Sequence, residues 1–406
     1  MRTKLAIIGA GPAGMAAAEA AADIMAPEDI TVLDRNDQPG RKLLLTGNGR
    51  CNITNTETID DFIARVPDGK FLYSAFHRFY TGDTIALLDR IGIGIKLEGE
   101  RYYPASESAK QVRDRWASHL RSRGIHFRQN FRVTEIRGDG DYWIINDSLT
   151  CDRLILAGGG ASVPRTGSDG SLLKLAEGIG IPCVPFRPAL CGIKLKGKRL
   201  GELQGIRLSG VRAALTVNGT TLGSEYGDVL FTHFGVSGPA ILDVSRFTPV
   251  KPRDVRLQLD LTAAWEAPPL EQIRSAISAS PKRGFVNALK PLLPIAVGEW
   301  LARLAGIDKN AEAGKVGDDK LLRFVDIVTG LSLDVLGNVG FEQAILSCGG
   351  IRLTAVNPRT MALKAFEGLY AAGEILDLAG PSGGYNLQIA IATGHVAGRA
   401  AAESLA

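Results

Sequence analysis

The stretch from Lys4 to Asp34 reads KLAIIGAGPAGMAAAEAAADIMAPEDITVLD, and it decides the fold of the domain that contains it. A short apolar strand over residues 4–8 enters the glycine turn 9–14, and an alanine-rich helix is predicted from about residue 12 to 25. A second strand over residues 30–33 ends at Asp34. GxGxxG alone is weak evidence. In this full context it favours a dinucleotide-binding βαβ unit over a purely structural one.

Each residue of the turn has a physical task in that interpretation. Gly9 allows a tight exit from the strand, and Gly11 carries no side chain that would keep a pyrophosphate from the backbone amides. Gly14 lets the helix pack closely on the sheet. Asp34 can accept hydrogen bonds from a ribose with a free 2′-hydroxyl, which FAD and NAD both have and NADP lacks.

The residues after Asp34 favour FAD. Two glycine-rich turns, PGRK at 39–42 and TGNGRCN at 46–52, supply an extended polar cradle for an elongated cofactor; a basic solvated loop is the alternative.

The end of the chain is expected to reach the same cofactor. LYAAGE at 369–374 and GPSGGYNLQ at 380–388 precede a helix predicted to run to about residue 402. We expect its first amides to face the pyrimidine edge of a flavin, with Tyr385 and Asn386 as positioning residues. A helix that merely has a glycine-rich lead is the alternative.

A further approach to the cofactor is predicted where RLILAGGG, residues 153–160, runs from a strand into three glycines. A strand pair is predicted at about 131–136 and 142–146, and on this arrangement the backbone of Val133 would lie near the adenine.

Three long motifs resemble the YhiN/BaiN-type, aminoacetone-oxidase-like bacterial NAD(P)/FAD-dependent oxidoreductases. They are GRKLLLTGNGRCNITN at 40–55, GDVLFTHFGVSGPAILDVSR at 227–246 and GLYAAGEILDLAGPSGGYNLQIAIATGHVAG at 368–398. The resemblance implies an α/β fold: a glutathione-reductase-like Rossmann FAD-binding domain interrupted by an inserted region that is β-barrel-like and helical. We expect the FAD domain over 1–186 and 345–406, the β-rich insertion over 187–263 and 332–344, and the helical part over 264–331.

The residues expected to bind FAD come from the motifs, from the sheet arrangement and from the resemblance. They are Gly9, Gly11, Pro12, Ala13, Gly14, Asp34, Arg35, Gly40, Arg41, Lys42, Thr46, Gly49, Arg50, Cys51, Asn52, Val133, Ala157, Gly158, Gly373, Glu374, Gly384, Tyr385, Asn386 and Leu387.

The expected function is that of an FAD-dependent oxidoreductase. It would transfer a hydride through flavin N5, to or from a small enone or amine bound between the FAD and inserted domains. The alternative is a flavin-containing protein associated with RNA modification or with binding another macromolecule. A second GxGxxG in its own βαβ unit is absent, so NAD(P)H would act only as a transient reductant.

The catalytic residues are not identified by the sequence. Cys51 is a weak candidate because Arg50 beside it would lower the pKa of its thiol, and His233 is a weak candidate for a proton donor. For both, and for His395, a packing or structural role is the alternative that we favour.

Composition sets the remaining limits. Forty-seven Lys and Arg stand against 43 Asp and Glu, so a net charge of +4 does not predict a nucleic-acid partner. Lys194, Lys196, Lys198 and Arg199 are interpreted as a solvated loop. Five scattered cysteines without metal spacing predict no metal site and fit a cytoplasmic protein. No apolar run is long enough for a membrane span. The oligomeric state is open.

Overall fold

The computed structural model describes residues 1–197, 200–249 and 253–406. Its strands are β1 (Arg2–Ile8), β2 (Ile30–Leu33), β3 (Thr54–Asn55), β4 (Ile95–Glu98), β5 (Arg101–Pro104), β6 (His126–Arg128), β7 (Ile136–Asp139), β8 (Tyr142–Ile145), β9 (Leu149–Leu156), β10 (Cys183–Ala189), β11 (Ile193–Leu195), β12 (Arg207–Val217), β13 (Thr220–Thr232), β14 (Gly235–Ser237), β15 (Val255–Asp260), β16 (Leu331–Asn338), β17 (Leu346–Ile351) and β18 (Leu369–Ala371).

The α-helices are α1 (Pro12–Ala22), α2 (Ile59–Ala64), α3 (Tyr73–Phe76), α4 (Thr81–Arg90), α5 (Ala109–Ser122), α6 (Ser171–Gly178), α7 (Pro239–Val244), α8 (Pro269–Ala279), α9 (Phe285–Ala288), α10 (Ile295–Ala305), α11 (Asp318–Thr329) and α12 (Tyr385–Glu403). The chain forms two compact units. The first contains Met1–Pro188 and Ala344–Ala406, and the second contains Ala189–Gln343. The finer domain bounds given above stay a prediction.

The first unit is built on a seven-stranded sheet in the order β6-β2-β1-β9-β8-β7, in which β18 also pairs with β9. The strands β6, β2, β1, β9 and β18 are parallel. The last residues of four of them align in register, Leu33 with Ile8, Ile8 with Leu156, and Leu156 with Ala371. The turns that follow β1, β2, β9 and β18 therefore meet at one edge, where parallel α/β sheets bind their ligands.

Helices α1 and α12 pack against each other at unusually close range in the first unit. A Cβ atom added to Gly394 would lie 2.2 Å from the carbonyl oxygen of Ala13, and one added to Gly398 would lie 2.0 Å from that of Ala17. Only glycine fits at these two positions. The contact brings the C-terminal helix against the helix that follows the first glycine turn.

The second unit contains a closed six-stranded barrel in the order β11-β14-β13-β12-β15-β16. Alternation along β15 buries Val255, Leu257 and Leu259 inside it, as the two-residue period of a strand requires. Phe231 of β13 contacts Trp300 of α10 edge to face, with ring centroids 6.2 Å apart. A mixed α/β fold with a Rossmann-type domain and a barrel is thus confirmed.

The structure differs from the predicted elements in two places. Helix α1 ends at Ala22, before residue 25. Residues 131–135 form no strand, and β7 begins only at Ile136. The side chain of Asn146 explains this difference, because its Oδ1 accepts hydrogen bonds from the amides of Thr134 and Glu135 in place of a neighbouring strand.

The predicted basic loop is only partly within the described residues. Lys194 and Lys196 are exposed, but Lys194 belongs to strand β11 and not to a loop. Lys198 and Arg199 lie outside the described residues. Among the described residues, no helix has both the length and the apolar character that crossing a membrane requires.

Candidate functional site

A long cleft lies at the sheet edge where the four parallel strands end. The space free of atoms within it is about 1460 Å³, counting its open mouth. Sixteen of the 24 residues predicted to bind FAD line it. They are Gly9, Gly11, Pro12, Ala13, Asp34, Arg35, Gly40, Arg41, Lys42, Thr46, Val133, Ala157, Gly158, Glu374, Asn386 and Leu387.

The glycine turn after β1 forms one wall of the cleft. Gly9 has a φ of +104°, and a Cβ there would lie 2.3 Å from the carbonyl oxygen of Ala157. Gly11 differs, because nothing lies within 4 Å of the position that its Cβ would occupy. Helix α1 begins at Pro12 without a side-chain cap, so its first amides remain available to an anion. This wall fits a pyrophosphate.

Asp34 lies where β2 ends, and both of its carboxylate oxygens already accept backbone hydrogen bonds. Oδ2 accepts from the amide of Ala10 at 2.8 Å, and Oδ1 accepts from that of Asn36 at 2.8 Å. Burial raises the pKa of this carboxyl, and the two amide bonds offset part of that effect. Each oxygen keeps a further lone pair that can accept from a ribose hydroxyl.

Arg35 pairs with Asp169, a residue that the sequence analysis did not identify. Burial alone would raise the pKa of the Asp169 carboxyl, but hydrogen bonds from Ser171 and Arg35 lower it overall. Asp169 belongs to a segment, residues 158–172, that contributes many lining residues. Gly167 and Gly170, both with positive φ, continue the glycine run beyond residue 160 and were the signal that was missed.

A charged cluster joins the two ends of the chain within the cleft. Lys42 Nζ lies 2.7 Å from Glu374 Oε2, and it also donates to Ser162 Oγ. Glu374 Oε1 accepts from the Ser347 amide at 2.9 Å and from Ser162 Oγ at 3.1 Å. The side chains of Lys42 and Glu374 are 24% and 16% exposed, so the pair is largely shielded and fully hydrogen-bonded. Ser162 and Ser347 were not predicted.

The start of α12 closes the cleft. Gly384 has a φ of +93°, and a Cβ there would lie 2.6 Å from the carbonyl carbon of Thr54. Asn386 stabilises the preceding turn, since its Oδ1 accepts from the Gly380 amide and its Nδ2 donates to the Gly380 carbonyl. Tyr385 packs against Phe62, with ring centroids 4.4 Å apart, and burial raises the pKa of its hydroxyl.

Eight of the residues predicted to bind FAD are not among the described residues that line the cleft. They are Gly14, Gly49, Arg50, Cys51, Asn52, Gly373, Gly384 and Tyr385. Gly14 is packed under the turn, where a Cβ would lie 1.8 Å from the Gly9 carbonyl oxygen, and Gly373 lies against Ala13. These two glycines bring backbone segments together, which shapes the cleft without lining it.

The expectation that Arg50 lowers the pKa of Cys51 is wrong. The Arg50 guanidinium bonds Glu98 and Glu107, each at 3.1 Å, and lies over the ring of Tyr103. Cys51 is 1% exposed, and burial raises the pKa of its thiol to about 12 although a bond with Thr46 acts in the opposite direction. A buried, protonated thiol is a packing residue.

The two histidines singled out by the sequence lie in different surroundings. His233 is exposed in the turn between β13 and β14 of the second unit, with its ring edge to face with Phe234 at 5.1 Å. His395 of α12 stacks on Phe79 at 4.2 Å, and burial lowers the pKa of its ring to about 4. A packing role fits His395. The described residues contain no group of three or more His, Cys, Asp or Glu side chains able to hold a metal ion.

The chain is similar to known proteins over most of its length. It matches the HI0933-like protein Rossmann domain over residues 3–400. It is 31% identical to a 3-dehydro-bile acid delta(4,6)-reductase of Clostridium scindens, with 98% of this chain and 99% of that protein covered. It is also 31% identical to a ribosomal RNA dihydrouridine synthase of Escherichia coli, with 94% of each covered.

The fold is similar to that of a solved flavocytochrome c3 fumarate reductase. The TM-score is 0.52 at 15% sequence identity, with 99% of this chain and 78% of that chain covered. This likeness concerns the fold, and the family model spans both units of the chain. The chain therefore belongs to the HI0933-like Rossmann family, as an oxidoreductase whose Rossmann domain is of the FAD-binding type.

Proposed function

We propose that this protein is an FAD-dependent reductase of a carbon–carbon double bond activated by a neighbouring carbonyl group. The observation that carries the proposal is a long cleft in which Gly11, Asp34 and Lys42 from the start of the chain meet Glu374 and Leu387 from its end. An extended dinucleotide is the ligand class that such a cleft suits.

The cleft residues fit FAD in three ways. The open space at Gly11 and the uncapped start of α1 suit the pyrophosphate, and Asp34 suits the adenosine ribose. Lys42 and Glu374, which both line the cleft, form a polar pair suited to hydroxyl groups of the ribityl chain. When bound, FAD supplies hydride chemistry at its N5 position, and the protein supplies orientation and electrostatics.

The enone class of substrate is supported by the names of two relatives. One is a reductase of a 3-dehydro bile acid, and the other makes dihydrouridine. Both names describe the addition of two hydrogens to a double bond next to a carbonyl. A small molecule is the preferred substrate because the net charge of +4 provides little attraction for a polyanion. Oxidation of an amine, the other class open from the sequence, has no such support.

A second candidate function, reduction of uridine in RNA, rests on the similarity to the dihydrouridine synthase. The two candidates share the flavin chemistry and differ in how the substrate is held. The prediction that the substrate lies between the FAD and inserted domains stays a prediction. So does the role of NAD(P)H as a transient reductant.

The test uses the purified full-length protein under anaerobic conditions. Released flavin should be FAD by chromatography, and its absorbance should bleach with NADH or NADPH. The bleached protein is then mixed with a steroid 4-en-3-one or with an unmodified ribosomal RNA fragment. Reoxidation by the enone, with the saturated ketone as product, supports the first candidate. Reoxidation by the RNA alone, with dihydrouridine formed, would replace it with the second, and a protein that takes up no FAD would overturn both.

A further inference from the structure

An exposed arginine, Arg101, lies against the glycine turn that precedes α12. Strand β5 begins at Arg101, which is paired in register with Asn55 of β3. Directly opposed residues point to the same face of a sheet, and both side chains reach the same turn. Asn55 Nδ2 donates to the Gly383 carbonyl at 3.2 Å, and a Cβ added to Gly383 would lie 3.3 Å from Arg101 Nε.

The surrounding charges leave the Arg101 guanidinium without a carboxylate partner. Glu98 is paired with Arg101 across β4 and β5, but its carboxylate bonds Arg50. Glu107, the other nearby acid, bonds Arg50 and Lys96. Within the described parts of the chain, the side chain of Arg101 makes no hydrogen bond and no ion pair.

We propose that Arg101 is a positioning residue that supplies positive charge at the pyrimidine end of bound FAD and favours its reduced form. The inference rests on the proposed function and on the expectation that the start of α12 faces the pyrimidine edge of the flavin. Asn386 and Leu387 line the cleft just after the Gly383–Gly384 turn, whereas Arg101 and the two glycines of the turn do not line it themselves. Negative charge collects near N1 and the C2 carbonyl of a flavin on reduction, and nearby protein charges tune that equilibrium.

Gly383 is part of the same arrangement. Its φ of +106° requires glycine, and a side chain there would press on the guanidinium. The turn thus lets the charge of Arg101 approach the start of α12, where the helix dipole already favours an anion. The expected loss on removing this charge is about tenfold in the two-electron reduction equilibrium, which corresponds to about 30 mV.

The experiment compares Arg101→Gln and Arg101→Lys with the wild-type holoprotein and with Arg78→Gln. Arg78 is an exposed arginine of the same unit that also makes no side-chain hydrogen bond or ion pair within the described residues, and, unlike Arg101, it is not among the nearest neighbours of Gly383. The readouts are the two-electron potential of the bound flavin and its affinity for sulfite, which adds to N5 and leaves negative charge on the ring. Both are measured with saturating FAD.

We expect Arg101→Gln to lower the potential and to weaken sulfite binding about tenfold, Arg101→Lys to keep most of both, and Arg78→Gln to change neither. Loss of FAD from the glutamine variant alone would also support a role of the charge. Equal values in wild type and Arg101→Gln, or equal losses in both Arg101 variants, would overturn the inference. A wild-type protein that binds no FAD would instead overturn the proposed function.

Discussion

Two glycine-rich segments of the first unit look alike in sequence and differ in structure. In the turn at 9–14, Gly9 and Gly11 line the cleft; Gly9 and Gly14 are in backbone contact, and Gly11 faces open space. The turn at 47–51 also has positive φ values, but Arg50 faces acidic side chains and Cys51 is buried. Glycine content therefore marks where a chain bends or approaches another backbone. Only the space around each glycine separates a ligand contact from a packing contact.

The largest expected effect is on folding, at Gly14. Gly14→Ala would place a Cβ 1.8 Å from the Gly9 carbonyl oxygen, and backbone atoms on both sides cannot yield cheaply. We expect the free energy of unfolding to fall by about 3 kcal/mol or more. Urea unfolding measures it, with Gly11→Ala as the matched control. Equal stability of the two variants would remove the distinction between packed and open glycines.

The next effect is on cofactor binding, at Gly11. Gly11→Val fills space that is open in the protein, so the unfolding of the apoprotein should be nearly unchanged. The affinity of the Gly11→Val variant for FAD should fall by about 100-fold or more, which corresponds to about 2.8 kcal/mol of binding free energy. Fluorescence titration with FAD measures it. A variant that keeps wild-type FAD content would show that the pyrophosphate lies elsewhere.

Asp34 tests whether the end of β2 contributes to both binding and packing. Asp34→Ala removes a carboxylate that bonds the amides of Ala10 and Asn36 and is proposed to bond the ribose. We expect FAD affinity to fall by about 1–3 kcal/mol, with a loss of stability of similar size because the buried Ala10 amide loses its acceptor. Asp37→Ala, at an exposed ion pair with Arg41, is the control and should change neither.

The pH dependence of stability tests whether the His395 side chain of α12 is buried as the structure shows. The pKa of its ring is lowered to about 4 in the folded protein, against 6.5 ordinarily, so the unfolded chain binds the extra proton between these values. Stability is therefore full above pH 6.5 and falls as the pH drops towards 4. From pH 7.5 to 5 this group should account for about 1–2 kcal/mol of lost stability.

His395→Gln should remove that part of the acid dependence in urea unfolding at the two pH values. His77→Gln, which alters an exposed histidine stacked on Tyr73, should leave it in place. An unchanged pH slope in His395→Gln would mean that the ring is not held neutral by burial against Phe79.

The smallest effect is expected at Arg50, in the second glycine segment. Because Arg50 bonds Glu98 and Glu107 near the surface, Arg50→Ala should change FAD affinity less than about threefold. The same fluorescence titration measures it. A large loss would show that Arg50 turns towards the cofactor, and it would erase the contrast between the two turns.

The sequence alone predicted the Rossmann unit because β1, its turn and α1 are contiguous and each residue type has one physical reason to be there. It also predicted Asp34, Lys42 and Glu374 as cleft residues. It missed Ser162, Ser347 and Asp169, because each has a partner between 134 and 212 residues away along the chain. The strand predicted at 131–136 was misplaced. The Asn146 side chain accepts a hydrogen bond from the backbone there, and the periodicity of the sequence does not reveal such a bond.

The close contact between α1 and α12 bears on the order of events during synthesis. The glycines that join them, Gly394 and Gly398, are translated only after the 155 residues of Ala189–Gln343 have been made. At ribosomal rates of about 5–20 residues per second, that interval lasts on the order of ten to thirty seconds. During this time the first βαβ unit lacks α12, the helix that packs against α1 and contributes Asn386 and Leu387 to the cleft.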